Sequence, residues 1–278
     1  MAQDAVCLKA CGIEVRVYPD ETGMPAWTGV GAAQPRVADA ELAETRVRLA
    51  VSDSPPLTEL DIGEFGAYRF DASRTAAWVR RSARSPQWQH EALWGPVLLH
   101  ALAHRGIHVL HASAALTPTG QLVAFVADSG VGKSTLASIS AALGWQRVSD
   151  DLLPIARHEG AFVALPHLHQ PKLSDREQYP ADAPAALPLR MLIHLRRGEE
   201  CAVQPATPRE ALDLLLTNTV ATRSYSAQSL AAHLALAQSM AIAASAPELR
   251  ICRGQIATRP TDIEGAVREM LDLVARTI

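Results

Sequence analysis

Ala127-Asp128-Ser129-Gly130-Val131-Gly132-Lys133-Ser134 is the stretch on which the reading of the fold turns. It follows a short apolar run, Gln121 to Val126, and precedes Thr135 to Leu143, which reads as a helix stopped by Gly144. A glycine-rich turn between a strand and a helix is a phosphate cradle. Backbone N–H groups point inward at the turn, and the helix aims its positive dipole end at the same anion. Gly130 and Gly132 permit the turn, with Ser129, Val131 and Thr135 completing its backbone. Lys133 is expected to reach the β and γ phosphates of a nucleotide, and Ser134 to place its hydroxyl on the bridging magnesium ion. The full pattern has glycine where this chain has Ala127, a replacement small enough to leave the loop intact.

Sixteen positions beyond Ser134 stands an acidic pair, Asp150 and Asp151, at the end of the strand-like segment Gln146 to Ser149. A helix of about ten residues rises some 15 Å, so a returning strand delivers its end near the phosphates. Phosphoryl transfer to a hydroxyl needs a metal ligand and a carboxylate that receives the hydroxyl proton. Asp150 is read as that base, and Asp151 as support for the metal or for a neighbour. Adjacent residues at a strand end point to opposite sides, and an Asp pair before Leu152-Leu153-Pro154 is also turn chemistry. Upstream, Val109 to Ala115 is an apolar strand broken by His111 and Ser113. A lone histidine on such a strand is by default a core residue; here it falls within reach of the aspartates.

Composition excludes several classes. Charged residues are 20% of the 278 and hydrophobic ones 48%, too apolar for a disordered chain. A formal charge of -3 without a basic stretch offers no footprint for nucleic acid. No N-terminal signal pattern and no run of about twenty apolar residues is present, so no membrane span is expected and the cytoplasm is the expected location. Cys7, Cys11, Cys201 and Cys252 do not make a disulfide framework in a chain of this size and read as reduced thiols.

Residues 1–84 read as a small β-rich domain, an antiparallel sheet with strands at Gly12 to Tyr18, Thr45 to Val51 and Phe65 to Phe70. Residues 85–278 read as one catalytic domain. It opens with a buried helix over 85–104, continues with short strands from Ile107 to about Gly198, and becomes helical from about Thr207. Helices are expected at 208–217, 226–245 and 261–276, with strand-like segments Glu248 to Cys252 and Gln255 to Thr258 between them.

The order His111, phosphate loop, short helix, Ser149-Asp150-Asp151 resembles the catalytic core of the HPr kinase/phosphorylase family and its shorter bacterial relatives. The resemblance covers about residues 107–200. It implies an α/β fold, a phosphate-loop core of mixed β-sheet similar to phosphoenolpyruvate carboxykinase. It implies ATP and magnesium as cofactors and a serine of a peptide or small protein as acceptor. Position by position, Lys133 and Ser134 hold phosphate and metal, Asp150 takes the serine proton, and His111 belongs to the catalytic cluster. Lys172, in Gln170-Pro171-Lys172-Leu173-Ser174, resembles a basic residue of the subfamily that assists phosphate binding. Self-association is a further implication, since the HPr enzymes form hexamers.

The chain also departs from that family. Thr135 follows the loop serine where the HPr enzymes have glutamate, and their arginine- and glycine-rich phosphorolysis signature and N-terminal domain are not recognisable. This directs the reading away from HPr and toward the related kinases of ribosomal peptide pathways, among them lasso-peptide kinases that phosphorylate a serine at the precursor's C-terminus. Two other classes fit the same loop: a small-metabolite kinase with a closed pocket and lid, and a nucleotide-hydrolysing switch without an acceptor. His167 and His169 flank Leu168 on one strand face without a third metal ligand. Arg196-Arg197-Gly198 suits an acidic peptide or a phosphate, with a solvated hairpin end as the commoner reading of such a segment.

Overall fold

The computed structural model describes residues 6–18, 36–42, 45–53, 56–61, 67–71, 76–80, 95, 98–128, 130–170, 173, 176–222, 225, 227–246, 248–258 and 262–278. Ser129, Lys172, most of the segment 85–97 and the side chain of Ser134 lie outside the described residues. The chain divides into two compact units, residues 1–107 with 221–233, and residues 108–220 with 234–278.

The first unit carries a seven-stranded sheet. Its strands are β1 (Val6–Ala10), β2 (Ile13–Tyr18), β3 (Arg36–Leu42), β4 (Thr45–Asp53), β5 (Pro56–Asp61), β6 (Ala67–Asp71) and β7 (Ala76–Arg80). They lie in the order β1-β2-β7-β6-β5-β4-β3. Cys11 and Gly12, both at positive φ (52° and 74°), make the two-residue hairpin turn between β1 and β2, the backbone that a tight hairpin demands. The sheet is not wholly antiparallel as the alternation suggested. Strands β3 to β7 form a meander whose last strand lands beside β2 in the same direction. The helix α1 (Leu98–His104), buried over Leu98 to Ala103, is the described part of the helix expected over 85–104.

The second unit is a nine-stranded mixed sheet with helices on both faces. Its strands are β8 (His108–Leu116), β9 (Leu122–Val126), β10 (Gln146–Ser149), β11 (Leu152–His158), β12 (Ala161–Ala164), β13 (Leu187–Gly198), β14 (Ala202–Pro205), β15 (Ser245–Ala246) and β16 (Leu249–Ala257). Its helices are α2 (Lys133–Ala142), α3 (Pro208–Asn218), the second half of α4 (Ala227–Ile242) and α5 (Ile263–Thr277). Side chains alternate along the buried strands. Leu122, Ala124 and Val126 join the cluster that receives Leu214 and Leu215 of α3 and Met240 of α4. Val123 and Phe125 join the opposite cluster, with Leu136 of α2 and Val267, Met270 and Val274 of α5. Each such buried side chain contributes about 1.5–3 kcal/mol relative to exposure.

The two strand segments expected between the last helices are one strand, β16, and it lies inside the sheet, parallel to β13. The C-terminal helices therefore cover this sheet on both faces. The pairings β8 to β9, β9 to β13, β13 to β12, β12 to β11 and β11 to β8 close on themselves. Gly254 of β16 is required by packing: a Cβ there would stand 2.6 Å from Ile193 Cγ2 and 2.7 Å from Met270 Cε. Helix α3 starts on a capping box between Thr207 and Glu210 with Pro208 in its first turn, and Asp262 caps α5 through the N–H of Gly265 at 2.8 Å.

Candidate active site

The phosphate loop leaves the buried strand β9 at Val126 and enters α2 at Lys133. Gly130 (φ 82°) and Gly132 (φ 116°) hold the left-handed backbone that makes the turn, a region costly for any residue with a Cβ. Gly132 occupies the cap position of α2 and has no side chain to bond the first-turn N–H groups. Those donors and the helix dipole point out of the loop together, which is what an anion site requires. The buried Lys133 places its ammonium among the loop carbonyls, donating to Ala127 O at 2.5 Å and lying 3.5 Å from Asp128 O. Gly144 (φ 86°) ends the helix, its N–H donating to Ala141 O.

Strand β8 joins this loop to the aspartates. On one edge it pairs with β9, Ala112 opposite Val126. On the other edge it pairs first with β10 and then with β11, Ser149 opposite Ala114 and Leu152 opposite His111. Strands β10 and β11 thus follow one another along the same neighbour, and Asp150-Asp151 is the kink between them. The kink is bonded to β8 on every side. Ser113 Oγ donates to Asp150 O at 2.7 Å, Ala112 N–H to Asp151 O at 3.2 Å, and Ser149 Oγ to Ala112 O at 3.1 Å.

The two carboxylates have different surroundings. Asp150 is 4% exposed, and its Oδ1 lies 2.7 Å from Arg147 Nη2. The contact is an ion pair rather than an aligned hydrogen bond, for among the described residues Asp150 Oδ1 and Arg147 Nε have no aligned partner. Asp151 is 20% exposed, and its Oδ1 lies 3.4 Å from Nδ1 of the partly exposed His111. A buried glutamine fixes the turn that presents both. Gln170 Oε1 is the shared acceptor for the N–H groups of Asp150, Asp151 and Leu152 at 3.3–3.4 Å. Its Nε2 donates to Leu152 O at 2.8 Å and to Leu168 O at 3.2 Å. Gln178 in turn bonds the Gln170 main chain at both N–H and C=O, each at 2.9 Å.

No protein-family model matches the chain, and no curated protein matches it. Among solved structures, the Hpr(Ser) kinase/phosphatase from Coxiella burnetii is similar at a TM-score of 0.31 and 12% identity, over 61% of this chain and 94% of that one. The likeness is weak. The case for a function therefore rests on the residues of this chain.

Of the residues singled out in the sequence, the fold gathers His111, Asp150 and Asp151 on one end of β8, beside the strand that carries Gly130, Val131, Gly132, Lys133 and Thr135. His167 stands apart from them against Tyr179 and Pro180 O. Sequence reasoning gave no role to Arg147, Gln170 or His194, and favoured a solvated end for Arg197. Arg147 and Gln170 support the aspartate turn. Arg197, at the end of β13, is exposed like the hairpin end it was taken for, yet its Nη2 donates to Gly130 O at 2.6 Å and tethers the loop. His194 lies opposite Val126 in the β13 ladder. Burial lowers its pKa first and the Arg196 charge second, while Asp128 and Asp213 pull it upward.

Proposed function

We propose that this chain is an ATP- and magnesium-dependent phosphotransferase that moves the γ-phosphate to a serine hydroxyl of a peptide or small protein. One observation carries the reading: strand β8 holds the phosphate-loop strand on one edge and a kinked carboxylate turn, with Asp151 half-buried beside His111, on the other. A phosphate cradle alone serves any nucleotide protein. A carboxylate with a histidine beside it adds the group that an acceptor hydroxyl needs.

In this mechanism the first-turn N–H groups of α2 and Lys133 hold the phosphates and neutralise charge on the transferred group. The acceptor oxygen forms its bond to the γ-phosphorus as the bond to the β–γ bridging oxygen breaks, and ADP leaves. Asp151 receives the acceptor proton, with His111 orienting its carboxylate. This exchanges the roles read from the sequence, because the burial of Asp150 and its ion pair with Arg147 favour Asp150 as the anchor of the turn. Magnesium binds through phosphate oxygens and one or two protein ligands, and Ser134 is the residue of the loop motif that would hold it. Among the described residues no three His, Cys, Asp or Glu side chains gather as a metal cage.

The acceptor we favour is the C-terminal serine of a lasso-peptide precursor in the cytoplasm. This choice rests on the resemblance of Leu110-His111-Ala112-Ser113 and Ser149-Asp150-Asp151. No helix among the described residues is long and apolar enough to cross a membrane. The test is phosphotransfer from γ-labelled ATP to serine-ending peptides. Label on the peptide serine is expected; label released only as free phosphate, whatever the acceptor, would favour the switch reading.

A further inference from the structure

Gly130 leaves the phosphate loop with an excess of freedom. At φ 82° it holds the left-handed turn, and a glycine there also lets the peptide that follows it rotate at little cost. That peptide is planar, so its carbonyl and the N–H of Val131 point opposite ways. One orientation offers the cradle a donor, which attracts a phosphate. The other offers it a carbonyl oxygen, which repels one.

The Gly130–Val131 peptide is held from both ends. Val131 N–H donates to Asp128 O at 3.3 Å and closes the turn, while Gly130 O accepts from Arg197 Nη2 at 2.6 Å. The first bond is long and neutral; the second is short and charge-assisted, the stronger kind. Lys133, the loop's own cation, does not restrain this peptide, because its ammonium lies against Ala127 O and Asp128 O. The main chain that carries Arg197 is fixed in the sheet. Arg197 pairs with Ile256 and Gly198 with Ala257 of the parallel β16, and Thr258 N–H donates to Gly198 O at 3.0 Å. Cys201 Sγ, accepting from Ala257 N–H and donating to Ala266 O, each at 3.4 Å, binds that end of β16 to α5.

We infer that Arg197 is a positioning residue of the phosphotransfer site: by holding Gly130 O it fixes the Gly130–Val131 peptide, so that the loop turns N–H groups and not a carbonyl toward the phosphates. The inference rests on the phosphotransferase reading above and adds to it a residue outside the loop motif, 67 positions from its partner. The guanidinium acts through the loop and not as a ligand of the nucleotide.

Calorimetric titration of the whole protein with magnesium tripolyphosphate, paired with amide hydrogen exchange of the ligand-free protein followed by NMR, tests the inference. Arg197→Ala is expected to weaken tripolyphosphate binding about tenfold or more. The loss should persist at about 0.5 M potassium chloride, where a charge acting at a distance is screened. The Val131 and Gly132 amides should exchange faster in the variant while those of β8 and β9 keep their wild-type rates, a pattern that general destabilisation does not produce. Arg197→Lys keeps a cationic donor on a long side chain and should recover most of the affinity. Wild-type affinity in Arg197→Ala, a deficit that vanishes in salt, or exchange that quickens uniformly along the chain overturns the positioning role and leaves the cradle standing. A wild-type protein that binds no tripolyphosphate removes the cradle, and the positioning role with it.

Discussion

The side-chain oxygen of Gln170 accepts the backbone N–H of Asp151 at 3.4 Å, so a residue nineteen positions downstream sets where the less buried carboxylate of the pair can point. The same oxygen takes the N–H groups on either side. One amide therefore satisfies three consecutive donors that a kink between strands would otherwise leave unpaired. Gln170→Ala should cost about 2–4 kcal/mol, the penalty of stranding buried donors, measured by urea unfolding. It should also lower kcat at unchanged ATP affinity, since the turn and not the cradle is loosened.

The two aspartates should separate in their mutants. Asp151→Asn is expected to keep the fold and ATP binding and to lose about 10²–10⁴ in kcat, the usual worth of a general base. Asp150→Asn should show its effect first in the thermal midpoint, because the half-buried Arg147 loses the closer of its two carboxylate partners among the described residues and keeps Glu177, 3.6 Å away. Steady-state kinetics and thermal unfolding of the two variants, side by side, decide the assignment. Near-wild-type turnover in Asp151→Asn would sink it.

Arg147→Ala strands a carboxylate that is 4% exposed. Loss of about 3 kcal/mol is expected from breaking a buried pair on one side. The double variant Arg147→Met with Asp150→Asn should recover part of that loss, because no charge is then left buried. A double-mutant cycle in urea measures the coupling.

Gly254→Ala adds a methyl group 2.6 Å from Ile193 Cγ2 and 2.7 Å from Met270 Cε. Overpacking of this kind costs about 1–3 kcal/mol. The expected signature is a lower urea midpoint with an unchanged slope. A variant as stable as the wild type would show that α5 shifts without cost.

His194 makes stability depend on pH. Its pKa is lowered in the fold, chiefly by burial, so the native protein keeps the ring neutral where the unfolded chain protonates it. The unfolded state then binds more protons, and stability falls as pH drops from the ordinary histidine value toward the depressed one. Above that ordinary value the contribution is constant. Urea midpoints between pH 5 and pH 8 should slope for the wild type and flatten in His194→Gln.

The contrast between what the sequence disclosed and what it withheld follows from contact range. The loop, α2 and the aspartate pair are contiguous, and each obeys local rules: a glycine turn, a helix stopped by Gly144, an acidic pair at a strand end. Gln170 and Arg197 act across 19 and 67 positions, and only the folded chain brings them to their partners; Arg147 reaches Asp150 from three positions away at the kink after β10. The parallel pairing of β16 with β13 was equally hidden. A hydrophobic strand between helices has the same pattern whether it lies at an edge or in the middle of a sheet.

The closed circuit of strand pairings leaves β8 and β9 without a free border. Each is laddered to a neighbour on both flanks, so neither can fray singly. Their amides should exchange with solvent hydrogen only when the entire second unit opens, placing the mount of the active site at the slow end of the exchange spectrum. Turnover then has to draw its motion from the glycine turn and the aspartate kink, while the strand between them stays fixed and keeps donor and acceptor groups at a constant separation.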